Sequence, residues 1–174
     1  MALSILLTDI GSITSISKFC LLNGALSADA NGNSSDDIKS QFNPDLILAV
    51  SGGGLIPARM LRTCIDVPII CVSMYSYDDN TNTQRDIIIN QWVDLSQHKN
   101  SKILIVDEVD DTRNTLHFLV EKLINEDNIA PENLGVFVVH NKKKTKVTDE
   151  LNISYYKEGE EINDIWITYP WDLK

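Results

Sequence analysis

The chain has 174 residues, a mass of 19.5 kDa and a formal net charge of −10. A chain of this length forms about one domain and buries enough apolar surface to fold without disulfides. The negative charge argues against nucleic acid or an anionic membrane as partner, and no stretch reaches the ~18 apolar residues that span a bilayer. The three cysteines, Cys20, Cys64 and Cys71, fit no metal-binding spacing and indicate reduced thiols in a cytoplasmic protein.

The amino-terminal part of the chain lacks a clear pattern of helices or strands. Small polar residues fill positions 27–37, which is typical of a loop or linker. We therefore predict a poorly defined segment over 1–33 and a folded domain over 34–174. Residues 36–39 are expected to open a short helix that ends near Pro44, because the residue before a proline disfavours helix.

Beyond Pro44, buried strands alternate with amphipathic helices. Strands are predicted at 45–50, 67–73, 87–93, 102–107, 134–139, 152–156 and 165–168. Helices are predicted at 55–65 and 114–125. This alternation is typical of an α/β fold built around parallel strands. Ligands of such sheets bind beyond the carboxyl ends of the strands, where the unusual segments 51–54, 75–83 and 107–115 lie.

Residues 107–115 are the most informative of these segments. Four carboxylates, those of Asp107, Glu108, Asp110 and Asp111, occupy five positions, and their repulsion favours a cation or a hydroxyl-rich ligand among them. The residues from 111 to 115 lead into a helix, whose amide groups, with two threonine hydroxyls and an arginine, suit a phosphate monoester. By composition alone, an acidic surface turn that caps the next helix remains an alternative.

The sequence Val-Asp-Glu-Val-Asp-Asp-Thr-Arg at 106–113 resembles the phosphoribosyl-pyrophosphate (PRPP) signature of type I phosphoribosyltransferases. This eight-residue sequence is most similar to the corresponding motif of the fungal hypoxanthine/xanthine-guanine phosphoribosyltransferases. Further matching motifs follow in the family's order at 44–50, 52–62, 91–92, 140–142 and 166–172. The resemblance covers about 34–172. It implies a type I phosphoribosyltransferase fold over 34–174, with a parallel-centred twisted sheet, flanking helices and a small hood.

For PRPP, the resemblance implies a set of site residues. Asp107 and Glu108 would hold the ribose hydroxyls and Mg²⁺, whereas Asp110 would be a loop residue without a direct role. The implied ligands of the 5-phosphate are Thr112, Arg113, Asn114 and Thr115. Pyrophosphate would bind the backbone of Gly52 and Gly53, between which the family often has a strained cis peptide. The loop at 75–83, with Ser76 and Tyr77, would close over the reacting centre.

For the base, the resemblance implies recognition of a 6-oxopurine. The Lys142 ammonium, which only donates hydrogen bonds, would face the purine O6. Trp166 and Ile167 would flank the ring, and the backbone near Ile167 and Asp172 would read its 2-position. Asp111 would act at N7 as general base or acid.

The resemblance therefore implies a purine salvage enzyme. It would transfer 5-phosphoribose from PRPP to hypoxanthine, guanine or xanthine, giving IMP, GMP or XMP plus pyrophosphate, with Mg²⁺ as cofactor. A homodimer through the helix at 55–62 is also implied. A non-catalytic module that binds PRPP or nucleotide on the same fold is an open alternative, because fold does not fix function. A Mg²⁺-dependent phosphohydrolase is disfavoured, since the acidic segment lacks an Asp-x-Asp arrangement.

Overall fold

An uninterrupted apolar run, Leu46–Val50, forms the central strand, and all five of its residues are buried. The computed structural model describes residues 34–77, 86–169 and 171. Its strands are β1 (Leu46–Val50), β2 (Ile69–Tyr77), β3 (Asp86–Gln91), β4 (Ile103–Asp110), β5 (Leu134–Lys143) and β6 (Tyr155–Asn163). Its α-helices are α1 (Ser34–Asp37), which continues as a π-helical turn (Ile38–Phe42), α2 (Leu55–Ile65) and α3 (Asn114–Asn125). Short 3₁₀ turns occupy Ser96–His98 and Pro131–Asn133.

The strands form one six-stranded sheet in the order β3-β2-β1-β4-β5-β6. All neighbouring pairs are parallel except β2 and β3, which form an antiparallel hairpin. The chain runs from β1 to β2 on one side, while β4 lies on the other side of β1. This reversal of strand order opens a crevice beyond the carboxyl ends of β1 and β4, where α/β folds bind their ligands.

Two hydrophobic cores cover the two faces of the sheet. Because successive strand residues point to opposite faces, β1 contributes Leu46, Leu48 and Val50 to one core and Ile47 and Ala49 to the other. Helix α3 packs in the first core and helix α2 in the second. Burial of each large apolar side chain stabilises the fold by about 1.5–3 kcal/mol. The two cores therefore hold α3 and α2 firmly against opposite faces of the sheet.

The α/β fold with a parallel-centred sheet is confirmed, and α2 and α3 have the predicted bounds. The strand predicted at 87–93 is confirmed as an arm of a hairpin. Several strand predictions were wrong in extent. Three strands are longer at their carboxyl ends than predicted: β2 continues to Tyr77, β4 to Asp110 and β5 to Lys143. Strand β3 ends at Gln91, and the strand predicted at 152–156 is β6, Tyr155–Asn163. No strand forms at 165–168, because this segment leaves the sheet edge and Tyr169 returns to β4 and β5.

Some predictions fall on residues that the structure does not describe. These are the segment 1–33, most of the closing loop at 75–83, and Asp172. Within the described ranges, no helix combines the length and the apolar character needed to cross a membrane.

Candidate active site

The turn after β1 brings its backbone close to β4. Gly52 has a φ of +99°, in the left-handed region that favours glycine. A Cβ on Gly54 would lie 2.5 Å from the Val106 carbonyl oxygen and 2.6 Å from that of Val50, and a Cβ on Gly53 would overlap the Glu108 carboxylate. The cis peptide that the family often has at this turn does not occur between Gly52 and Gly53, since no cis bond is found among the described residues. The lack of side chains in this turn nevertheless lets its backbone lie close to β4.

Facing this turn, β4 carries two adjacent carboxylates without a nearby cation among the described side chains. The Glu108 amide donates to Asp107 Oδ1 at 2.9 Å, while Glu108 Oε2 is buried and has no hydrogen-bond partner in the described structure. Burial, and then the neighbouring Glu108, raise the pKa of Asp107 well above its usual value. Unpaired buried carboxylate oxygen of this kind fits a hard cation or ribose hydroxyls.

The same two carboxylates are the residues that would hold Mg²⁺. In the described ranges, no group of three or more His, Cys, Asp or Glu side chains converges for a metal. Mg²⁺ is commonly bound by one or two carboxylates and takes its other ligands from water and substrate phosphates. The donor set of Asp107 and Glu108 therefore fits Mg²⁺ that is shared with a phosphorylated substrate.

Asp110 lies on β4 and not in the loop where the sequence had suggested it. Its side chain is fully buried and accepts from Arg113 Nε and the Tyr156 hydroxyl, both at 2.9 Å. Lys146 Nζ lies 3.3 Å from its other oxygen. Burial, and then the Asp110 charge, raise the pKa of Tyr156, so the phenol stays protonated and donates. Asp110 is thus the centre of a buried polar cluster.

Residues 111–113, which are predicted to bind the 5-phosphate and are here called the phosphate loop, connect β4 to α3. Arg113 has a φ of +67° and is the N-cap of the helix, with its carbonyl accepting from the His117 amide at 2.8 Å. Its guanidinium is held by Asp110 and lies 5.4 Å from the centre of the Tyr156 ring. Helix α3 begins directly after the loop, so the positive end of its dipole lies at this point, and a pocket of about 200 Å³ is lined by residues 107–116. The loop thus offers an anion site made mainly of backbone.

At the end of β5, lysines contact the predicted acid–base residue. Lys142 Nζ lies 3.2 Å from Asp111 Oδ1 and 3.7 Å from Asp164, and Lys144 contacts the same two carboxylates at 3.1 Å. The Lys142 side chain is only 12% exposed. Partial burial raises the pKa of Asp111, but the hydrogen bonds from Lys144 and Lys142 outweigh it and the pKa lies below its usual value. Asp111 is therefore ionised at neutral pH and adjacent to Lys142.

The carboxy-terminal segment contacts this site through Asp164 and Tyr169. Trp166 is 87% exposed and Ile167 is half-buried. Tyr169 is buried: its hydroxyl lies 2.9 Å from His140 Nδ1 and donates to the Glu108 carbonyl at 3.1 Å. Its ring stacks on that of Trp171 at 4.9 Å. The segment is thus anchored at Tyr169 and leaves a large aromatic surface uncovered at Trp166.

Sequence reasoning missed several residues of this region. Lys144 lies two residues beyond Lys142 in the chain, but only Lys142 was predicted as a site residue. Three others had no local signal, because their partners are distant in the chain; these are Lys146, Tyr156 and Tyr169. The sequence also gave no reason to expect that the Arg113 guanidinium pairs with a buried carboxylate.

Known proteins resemble this chain over most of its length. Residues 11–174 match the family model described as "Phosphoribosyl transferase domain". Xanthine phosphoribosyltransferase 1 of Saccharomyces cerevisiae is 36% identical across 75% of this chain and 78% of its own length. Hypoxanthine-guanine phosphoribosyltransferase of Schizosaccharomyces pombe is 35% identical, with coverages of 80% and 82%.

A solved structure supports the fold. The purine phosphoribosyltransferase of Pyrococcus horikoshii superposes with a TM-score of 0.68, over 90% of this chain and 93% of that one, at 24% identity. This likeness concerns the fold alone. With the family match over residues 11–174 and the two fungal relatives, it leads to one assignment: the chain belongs to the phosphoribosyltransferase family and has the type I fold.

Proposed function

We propose that this protein transfers 5-phosphoribose from PRPP to N9 of a 6-oxopurine, releasing pyrophosphate. The products would be IMP, GMP or XMP from hypoxanthine, guanine or xanthine, which makes it a purine salvage enzyme. The observation that carries this proposal is the adjacency of three features at one crevice. These are the Asp107–Glu108 pair facing the glycine turn, the phosphate loop, and the Asp111–Lys142 ion pair. The names of the fungal relatives support the choice of substrates.

On the PRPP side, the roles follow from the chemistry of each group. Asp107 and Glu108 would hold the ribose hydroxyls and Mg²⁺, and Gly52 and Gly53 would bind pyrophosphate through their backbone. The 5-phosphate would lie against the loop and the start of α3, contacting Thr112, Asn114, Thr115 and the Arg113 backbone. Bound Mg²⁺ would neutralise the departing pyrophosphate. The two carboxylates also stabilise positive charge on the ribose as the bond to pyrophosphate breaks.

On the purine side, Lys142 and Asp111 would divide recognition and proton transfer. A purine at this place would replace the Asp111–Lys142 contact, leaving the ammonium to donate to O6 and the carboxylate to accept the N7 proton. An ammonium has no acceptor for a 6-amino group, so adenine would be disfavoured. Trp166 and Ile167 would cover the ring faces, and Asp172 would lie near the 2-position.

The proposal is tested by turnover with each base. PRPP and Mg²⁺ are mixed with hypoxanthine, guanine, xanthine or adenine, and the absorbance change is followed. We expect turnover of at least one 6-oxopurine and none of adenine. PRPP binding by calorimetry without turnover of any base would instead establish the non-catalytic module.

Two variants separate the roles of the acidic residues. Asp111→Asn keeps the size of the side chain but cannot accept a proton, so kcat should fall by about 10²–10⁴ while PRPP affinity changes little. Glu108→Gln should weaken Mg²⁺-dependent PRPP binding itself. Equal loss of PRPP binding in both variants, or full turnover by Asp111→Asn, would contradict this division.

We further propose that the protein is a cytoplasmic homodimer that associates through α2. Leu55 and Ile56 on this helix are 38% and 40% exposed, and burial between two copies would remove them from water. Sedimentation equilibrium of the wild type and of Ile56→Asp tests this: a dimer that becomes a monomer supports the proposal, and a monomeric wild type contradicts it.

A further inference from the structure

We propose that Asp110 is a positioning residue whose buried carboxylate holds the phosphate loop in its binding conformation through Arg113 and Lys146. This inference rests on the proposed function, which makes residues 111–113 the loop that receives the 5-phosphate. It assigns Arg113 to the support of the loop and not to direct contact with the phosphate through its side chain.

The first argument is the backbone of Arg113. Its φ of +67° lies in a region where a side chain is unfavourable and which glycine adopts freely. A non-glycine residue persists there only when its surroundings enforce the conformation. The pairing of Arg113 Nε with Asp110 Oδ2 at 2.9 Å, together with the Tyr156 ring beneath the guanidinium, supplies that enforcement.

The second argument is a set of hydrogen bonds that joins the loop to residues 146–149, here called the brace. Lys146 Nζ donates to the carbonyls of Asp110 and Asp111 at 2.7 and 2.8 Å, and the Val147 amide donates to the Thr112 carbonyl at 3.0 Å. Arg113 Nη1 donates in the other direction, to the carbonyls of Thr148 and Asp149 at 3.4 and 2.5 Å. Three consecutive carbonyls of the loop region are thereby turned toward the brace.

The third argument is where the charges lie. Asp110 is fully buried, and the side chains of Arg113 and Lys146 are 12% and 10% exposed. Both cations are thus held by one carboxylate inside the protein. Removing that carboxylate leaves two buried positive charges without their shared partner. We expect the phosphate loop to shift as a result, because both cations contact it.

A double-mutant cycle tests the proposal. The variants are Asp110→Asn, Arg113→Gly and the double variant, with Asp37→Asn as control because its ion pair with Lys157 at 2.8 Å involves neither the phosphate loop nor the brace. Glycine accepts the positive φ, so Arg113→Gly removes the side chain without straining the loop. The readouts are the KM for PRPP, the KM for the base, and amide exchange of the peptide covering residues 110–116.

We expect Asp110→Asn to raise the KM for PRPP about tenfold or more, since small displacements of a binding group have effects of this size. In the control variant, the KM values for PRPP and for the base should both stay within about twofold of wild type. The double variant should be no worse than Asp110→Asn, because Arg113 acts through Asp110. Losses that multiply in the double variant would show that the Arg113 side chain acts independently of Asp110, and would overturn the proposal.

Amide exchange decides the same question without turnover. Exchange in the loop peptide should be roughly tenfold faster in Asp110→Asn than in wild type and in the control. If amide exchange of the loop peptide is unchanged in Asp110→Asn, the proposed role of Asp110 is refuted, even where turnover is lost. Failure of the wild type to bind PRPP would refute the proposed function. The exchange comparison would still test whether Asp110 holds the phosphate loop. Tyr156→Phe, which removes one donor to Asp110, replaces Asp110→Asn if that variant does not fold, with a smaller change of the same sign expected.

Discussion

The three glycines after β1 provide a direct test of the site, because an added methyl group would meet something different at each one. At Gly53 it would overlap the Glu108 carboxylate, the end of a flexible side chain. At Gly54 it would meet the carbonyl oxygens of Val50 and Val106 at 2.6 and 2.5 Å. At Gly52 it would enter open space, but the φ of +99° would be strained.

These differences predict opposite outcomes for Gly53→Ala and Gly54→Ala. In Gly53→Ala, only the Glu108 side chain has to move, and the change can add about 0.4–1 kcal/mol of stability by restricting the unfolded chain. The displaced carboxylate should weaken Mg²⁺-dependent PRPP binding about 10–100-fold, as is typical when the support of a metal site is disturbed. In Gly54→Ala, strand backbone has to move, which costs about 1–3 kcal/mol.

Thermal unfolding and calorimetric titration of PRPP with Mg²⁺ measure the two effects separately. For a chain of this size, 1 kcal/mol corresponds to a shift in Tm of about 2–4 °C. Gly53→Ala should therefore keep or slightly raise the Tm and lose PRPP affinity, whereas Gly54→Ala should lower the Tm. Gly52→Ala is the matched control for backbone strain, with a cost of about 1–3 kcal/mol. Wild-type PRPP affinity in Gly53→Ala, or a Tm as low as that of Gly54→Ala, would refute the reasoning.

Three further predictions concern charged groups of the site. Lys142→Ala should raise the KM for 6-oxopurines more than that for PRPP, and unchanged steady-state kinetics would remove Lys142 from the purine site. In the absence of Mg²⁺ and PRPP, Asp107→Asn should raise the Tm, because it removes a buried carboxylate beside that of Glu108. The same variant should lose PRPP affinity. An unchanged or lower Tm contradicts this prediction. Since the pKa of Asp111 is lowered on folding, its stabilising contribution is present above the usual value near pH 4 and is lost as pH falls through the folded pKa. The Tm of wild type should thus exceed that of Asp111→Asn at neutral pH and converge with it in acid, and a gap that persists in acid contradicts the pairing with Lys144.

The sequence allowed the fold to be predicted well wherever the signal was local. The bounds of α2 and α3 follow from apolar residues at helical spacing, and β1 from a continuous apolar run before glycines. The strand predicted at 165–168 was wrong because it, too, was inferred from a local apolar pattern. Its apolar residues suit a strand, but the chain there turns back toward β4, and only tertiary structure reveals that turn.

The candidate site was predictable in its motif and not in its supports. Residues 107–115 are adjacent in sequence and could be recognised together. The hydrogen bonds that hold them join residues 36, 46 and 61 positions apart, from Lys146, Tyr156 and Tyr169. Local periodicity carries no information about such pairs. Asp110 was therefore interpreted as a loop residue, although it is the buried centre of the cluster.

The hydrogen bond from Tyr169 to the Glu108 carbonyl has a thermodynamic consequence. Tyr169 lies in the segment proposed to contact the base, and Glu108 in the strand proposed to hold ribose and Mg²⁺. An adjustment of β4 when PRPP binds therefore changes the anchor of the segment that receives the purine. Because such coupling is reciprocal, we expect each substrate to alter the affinity for the other by the same factor. The phenol of Tyr169 would then couple the affinities of the two substrate sites in both directions.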